Sequence, residues 1–406
     1  MAAAVGTTGC GDGQAPIRIG ALFPLSSAAT TLAKEQLAGV DIARQLVNED
    51  GGVGGRPIEL DVRDLPSADR AGSVVGQLRD AGVTAVIGAY SSDLSIAASA
   101  ATANAGLVYW EAGAVADRVT GRGLPTVFRV GATGGNLGTN TARFTVEQLA
   151  PRLHRDPSQL RVSIVEADDE YAHSVAGAAT VTATAAGMHI VSTSLYNPGA
   201  PRWQPVLDAV RAAAPNILIL VSHIPDGVSF VHAMRATGLH VDAFIGSTMA
   251  ECVPEFGTLA GSDAVGVFAS DRPGTGFDPG TLRPEGRALY SRLAQKWQER
   301  LGGTPTEEGL SGFSAAWTLF HEVLPRAQAH GTLDPAGISA AARQVDLPEG
   351  SLPNGAGVRF ASSTDRMGQN LRAAAVIWQW QGVGHSVVVW PSEYATGTIR
   401  LASAGG

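Results

Sequence analysis

Short apolar runs of strand length alternate with amphipathic stretches of helical length along most of this chain, and that alternation leaves few folds open. Ile58, Leu60 and Val62 take turns with Glu59, Asp61 and Arg63, the two-residue period of a strand with one exposed face, which puts this strand near a sheet edge. Ile17 to Phe23 alternates more weakly. Between the two, Leu37, Val40, Ala43, Leu46 and Val47 recur at helical spacing and stop at Asn48 to Gly55, where glycines end the helix. The pattern continues as a helix around Ala68 to Asp80, an apolar strand Val83 to Ile87, a helix Ser92 to Ala105 and a strand Leu107 to Trp110. Continuous apolar strands separated by helices of about 10 to 15 residues predict a parallel sheet covered on both faces.

After Val127 to Val130 the chain loosens into GATGGNLGTN, Gly131 to Asn140, whose glycines lack the spacing of a dinucleotide-binding turn and read as a hinge or loop. A second unit follows: Arg161 to Val165, a helix from Tyr171, His189 to Leu195, a helix from Pro201, and Ile217 to Val221. The Gly-, Pro- and Asp-rich stretch Ala269 to Pro284 precedes long helical segments at Arg287 to Leu301 and Ser311 to Ala329, and Ala373 to Trp380 returns to a strand pattern. For 406 residues, the expectation is an α/β fold of two doubly wound lobes.

Hydrophobic residues make up 45% and charged ones 16%, which excludes extended disorder. No apolar run approaches the roughly 18 to 20 residues of a membrane span. The net charge of −8 comes without any basic block, so no nucleic-acid partner is expected. Cys10 and Cys252 have no neighbours at metal spacing and exclude a disulfide framework. Residues 1–13 lack the basic start and apolar length of a complete signal peptide.

No G-x-S-x-G elbow, H-E-x-x-H or phosphate-binding G-x-x-x-x-G-K-[ST] loop is present, and His321-Glu322 lacks the second histidine that zinc needs. The expectation is a protein that is not an enzyme and needs no cofactor or metal. The informative stretch is Val83 to Thr120. A buried strand ends at Gly88 and a helix starts near Ser92, so Ser91, Ser92 and Asp93 lie where unpaired helix N–H groups attract anions. Ser92 either adds a donor to such a site or caps its own helix.

GGVGGRPIEL at Gly51 to Leu60 after Asn48-Glu49-Asp50, the opening IRIGALFPLS, IGAYSS, QNLRAAAVIWQWQ and the tail VVWPSEYA resemble the type I periplasmic-binding-protein superfamily. Within it, Ile17 to Ala395 is similar to the branched-chain amino acid and amide solute-binding receptors of ABC importers. The resemblance implies a leader at 1–15, a first lobe of 16–133 and 268–362, and a second of 134–267 and 363–406. Three crossovers, near Gly131–Gly138, Val267–Asp271 and Phe360–Asn370, would let the lobes close on one small ligand. It also puts the carboxylate-binding serine on Ser92, backbone donors on Gly113, Ala114 and Val115, an aromatic on Tyr171 and a further cleft position on His223. Thr248 falls where many amino acid binders carry an acid, and Val115 where relatives often have a hydroxyl.

An ammonium buried without a carboxylate costs several kcal/mol, so these departures predict an amide-like or aromatic carboxylate ligand unless another acid supplies the charge. Glu111, Asp93 and Asp168 to Glu170 are the candidates; Glu111 either reaches the cleft or is a solvated loop carboxylate. Tyr90, Trp110, Tyr171 and Phe313 sit beside these loops as possible apolar walls, Trp110 equally as core. TTGC, ending at Cys10, resembles the end of a bacterial lipoprotein signal, with a native or trimmed N-terminus the alternative. The functional expectation is an extracytoplasmic receptor, in the periplasm or lipid-anchored, that delivers a small polar or amphipathic solute to the membrane permease of an ABC transporter. A cytoplasmic amide-sensing regulator of the same fold is the alternative.

Overall fold

A computed structural model of the chain describes residues 15–27, 30–248, 250–274 and 276–401. Cys10, and with it the expectation of a lipidated leader, lies outside these residues. The first sheet is built from β1 (Ile17–Phe23), β2 (Ile58–Asp64), β3 (Ala85–Gly88), β4 (Val108–Glu111) and β5 (Val127–Arg129), in the order β2-β1-β3-β4-β5. All its pairings are parallel. β2, the strand with alternating charge, is at the edge, whereas β3 and β4 are buried throughout. Their sequence, apolar up to Gly88 and Glu111 at the strand ends, follows from helices packing on both faces.

The second sheet takes β6 (Arg161–Ala167), β7 (His189–Tyr196), β8 (Ile217–Val221), β9 (Ala243–Ser247) and β10 (Phe268–Asp271). A small pair, β11 (Asp346–Leu347) and β12 (Val358–Arg359), stands apart. β13 (Val376–Gly382) and β14 (His385–Trp390) complete the second sheet, whose order is β14-β13-β10-β9-β8-β6-β7. β6 to β10 pair in parallel, and β13 and β14 add an antiparallel hairpin at the edge. Each sheet has its own buried core, and the helices Pro284–Leu301, Glu307–Trp317, Leu324–Ala329 and Pro335–Ala342 pack onto the first.

Two expectations need correction. Phe268–Asp271, assigned from sequence to the start of the return into the first lobe, is a central strand of the second sheet, and its Phe268 packs on Phe144 with ring centroids 5.2 Å apart. The glycine-rich Gly131–Asn140 is not a flexible hinge along its length, because Gly134–Phe144 is a helix. Thr133 caps it: its hydroxyl accepts from Asn136 N at 2.9 Å, while the Asn136 side chain accepts from Thr133 N at 3.0 Å. The glycines serve close packing, since a Cβ on Gly138 would lie 2.1 Å from the Val175 carbonyl of helix Glu170–Ala185.

The same device sets one wall of the cleft. Helices Thr30–Glu49 and Glu307–Trp317 touch backbone to backbone: a Cβ on Gly39 would lie 2.1 Å from Gly309 O, and one on Gly312 would lie 2.2 Å from Gln36 O. This contact brings Glu307 and Glu308 beside Gln36, whose side-chain amide donates to Glu308. Among the described residues, no helix is long and apolar enough to cross a membrane.

Candidate functional site

Loops at the carboxyl ends of strands from both sheets meet between the lobes, the usual place for a ligand in an open α/β sheet. Arg118 pairs with Glu170 across the gap, Asp117 N donates to Ser174 Oγ at 3.0 Å, and Arg272 Nη1 donates to Gly113 O at 2.8 Å.

On the first-lobe side, β3 delivers the chain to helix Ser92–Asn104. Ser91 occupies the N-cap with extended backbone and no side-chain cap hydrogen bond. Ser92 is buried, and its hydroxyl accepts from Ala116 N at 3.2 Å. It therefore ties the helix start to the loop after β4 instead of capping its own helix. Val115 is buried in that loop, and its carbonyl accepts from Gly134 N at 2.6 Å.

Glu111 is neither a solvated loop carboxylate nor a group reaching the cleft. It is fully buried, and Oε1 accepts from Gly113 N and Ala114 N, each at 2.8 Å, while Oε2 accepts from Tyr109 Oη at 3.2 Å. Burial pushes it up to about 7 against the pull of those two backbone N–H groups. Of the N–H groups expected to hold a ligand, those of Gly113 and Ala114 are thus already paired. Trp110 is core: Nε1 donates to Ala315 O at 2.8 Å, and its ring packs on Phe128 and Phe360 with centroids 5.3 and 5.5 Å away. Glu111→Gln keeps an oxygen for both N–H groups, so in calorimetry with any stabilising solute its affinity should stay within about threefold of wild type, less than one typical net hydrogen bond. Abolished binding would instead put Glu111 in the cleft.

On the second-lobe side, Tyr171 lies in the first turn of helix Glu170–Ala185, just after the end of β6. It is buried, donates its hydroxyl to Thr248 O, and meets His223 edge-on at 5.5 Å. His223 Nε2 lies 3.4 Å from Asp169 Oδ2, and its Nδ1 is buried without a hydrogen bond. Thr248 is fully buried with Oγ1 unpartnered. Three residues on, Glu251 is an acid that sequence reading missed. Its carboxylate turns into the lobe, accepting from Ser222 Oγ at 2.8 Å and Ser247 N at 3.2 Å, and burial pushes it up to about 8.

A cavity of about 200 Å³ opens beside these groups, lined by Glu35, Glu255, Asp271, Glu307 and Glu308 but, among the described residues, by no Lys, Arg or His. None of the sequence-predicted site residues lines it. Behind its floor stands Arg272, itself 3% exposed. The guanidinium pairs with Glu307, lies 3.7 Å from both Glu308 and Asp271, and donates to Ser311 Oγ at 3.1 Å. Burial raises Asp271 and Glu307 and takes Glu308 to about 7, with Arg272 the main opposing influence on each. Tyr90 is buried with its hydroxyl unpartnered, and after burial the charges of Glu308 and Glu307 raise it most. Asp271 ends β10 and Arg272 follows it, so strand-end position was the one signal that could have found them.

The family model described as Periplasmic binding protein matches residues 16–379. The chain belongs to the periplasmic binding protein family. It is 29% identical over 404 residues to Leu/Ile/Val-binding protein homolog 8 of Brucella suis, covering 99% of this chain and 97% of that protein. Homolog 7 of Brucella melitensis is 27% identical over 403 residues, 97% of this chain and 96% of that one. In fold it is similar to the branched-chain amino acid transporter substrate-binding protein of Streptococcus pneumoniae solved with isoleucine, at a TM-score of 0.73 and 19% identity over 93% of this chain and 100% of that one. An ABC transporter substrate-binding protein of Desulfitobacterium hafniense solved with Leu gives a TM-score of 0.71 at 22% identity, over 92% of this chain and 100% of that one. This periplasmic binding protein is a solute-binding protein and not an enzyme, has the type I two-lobed fold, and is of an extracytoplasmic family whose members work with membrane permeases.

Proposed function

We propose that this chain is the receptor of an ABC importer for an amino-acid-like solute, held with its carboxylate at Ser91 and Ser92 and its positive charge toward the acidic cavity. The observation that carries this reading is a pair of opposite fields at strand ends facing the gap between the lobes: a 13-residue helix starting at buried Ser92, which favours an anion, and a separate cavity lined only by acids among its charged groups. A zwitterion answers both. Relatives named Leu/Ile/Val-binding protein homologs, and neighbours solved with isoleucine and leucine, support the class. The expectation of a ligand without an ammonium rested on uncharged Thr248. Asp271, Glu307 and Glu308 supply the negative charge from other elements, and an amide or aromatic carboxylate would leave them unanswered. Tyr171, His223 and Thr248 complete the second-lobe wall. A lipid anchor at Cys10 would hold the receptor beside its permease.

Ser92→Ala tests the carboxylate end. It should weaken solute binding by about 1–2 kcal/mol, the scale of a hydrogen bond to a charged group, and lower fold stability less. Calorimetry showing unchanged affinity together with a reduced melting temperature would leave Ser92 a purely structural tie to Ala116.

A further inference from the structure

The acids around the cavity outnumber what a neutral amino acid can balance. Asp271, Glu307 and Glu308 face a single guanidinium, that of Arg272, and Glu35 and Glu255 add two further carboxylates to the lining. Asp271 is held by the Arg272 guanidinium at 3.7 Å and by the Cys252 thiol, which donates to Oδ2 at 2.6 Å, but Glu307 Oε2 is buried without a hydrogen bond, as are the nearby hydroxyls of Tyr90 and Thr248. Glu307 lines the cavity, so its unpaired Oε2 is the acceptor that a donor entering the empty space would meet. Leaving such an acceptor unmet is costly, and an ammonium with three N–H donors or a guanidinium with five would meet it.

Much of the remaining wall is apolar, with Leu32, Ile224, Val253, Pro254 and Trp378 beside a few hydroxyl side chains. An indole beside a carboxylate floor suits a flexible alkyl stem ending in a cation, which packs its methylenes on apolar surface and its head on charge. Among the described residues, no three His, Cys, Asp or Glu side chains converge as metal ligands. The chemistry therefore favours an organic cation over a divalent ion.

We infer that the cavity over Asp271, Glu307 and Glu308 receives a cationic side-chain head, so that the solute is a basic amino acid with a net positive charge and not a branched-chain one. This rests on the reading of the chain as a receptor for amino-acid-like solutes. A zwitterion brings no net charge to the cleft, whereas a basic amino acid brings one positive charge more, carried at the end of a stem away from its carboxylate.

Calorimetry at pH 7.5 with lysine, ornithine, arginine, norleucine, leucine, 1,5-diaminopentane and calcium chloride tests this. Lysine against norleucine isolates the terminal ammonium. At least one basic amino acid should bind tenfold or more tighter than norleucine. Glu307→Gln, at a half-buried position, and Asp271→Asn should each cut that ratio to about threefold or less, with unliganded melting temperatures confirming folded variants. Leucine or norleucine binding as tightly as every basic amino acid would overturn the inference and leave the receptor reading standing. No binding by any amino acid would overturn the receptor reading itself. The diamine binding as tightly as lysine would support the cationic pocket while removing the carboxylate site. Calcium displacing the amino acid would overturn the organic-cation assignment.

Discussion

Arg272→Met should destabilise the protein by about 3–5 kcal/mol at pH 8, the cost of breaking a buried ion pair by removing one partner. The guanidinium is almost fully buried and pairs with Glu307, lies 3.7 Å from Glu308 and Asp271, and binds Gly113 O and Ser311 Oγ. Without it, the carboxylates face one another in a site already dry enough to push Glu308 up to about 7. They escape by taking up protons, so the loss should shrink at pH 5. Arg272→Lys should rescue little, because one ammonium on a flexible stem cannot span the acids of the cavity floor and the Gly113 carbonyl together. Urea unfolding at both pH values measures this. A cost under about 1 kcal/mol at pH 8 would mean that the acids are neutral in the wild type. Adding Glu307→Gln to Arg272→Met should recover part of the loss, since one unpaired charge is then gone.

The strands were legible because their periodicity is local. Glu59, Asp61 and Arg63 alternate with Ile58, Leu60 and Val62, and β2 is the edge strand that this pattern demands. Gly131–Asn140 misled because glycine has two uses. Its conformational freedom suggested a hinge, whereas Gly134 and Gly138 are needed for close contact with helix Glu170–Ala185, a partner that local sequence does not display. Thr133 followed three residues later by Asn136 was the overlooked sign of a helix start. Ser92 was found because a strand-to-helix turn announces itself. The acidic cluster was not, because Asp271 and Glu307 stand on separate elements joined only by folding, and Glu307 and Glu308 read in isolation as ordinary first-turn acids behind the Thr306 cap. Glu111 was misjudged for the same reason: its partners Gly113 and Ala114 lie close by in sequence, but its burial depends on the whole sheet.

The unliganded protein should lose stability steadily between pH 5.5 and 8.5. Burial raises Glu111 and Glu308 from 4.5 to about 7 and Glu251 to about 8, so between the unfolded and folded values the native state holds protons that the unfolded state has released. Stability is then highest near the unfolded values and falls as pH rises through the folded ones. His173, raised by hydrogen bonds to Glu166 and Asp168 against the burial that would lower it, acts in the same direction, weakly because it is exposed. Glu322, held down mainly by the hydrogen bond from His321, opposes the trend only where pH falls through its own lowered value, below this window. At about 1.4 kcal/mol per pKa unit, the three buried glutamates together can account for several kcal/mol. Urea midpoints should therefore drop with an unchanged m-value, and Glu251→Gln should flatten the slope. A flat profile would mean that these carboxylates are ionised and fully compensated in the native state. A cationic solute should reverse part of the slope, because its charge favours the ionised forms of Glu307 and Glu308 and expels their protons on binding. Its affinity should then rise with pH over the range in which the empty receptor weakens.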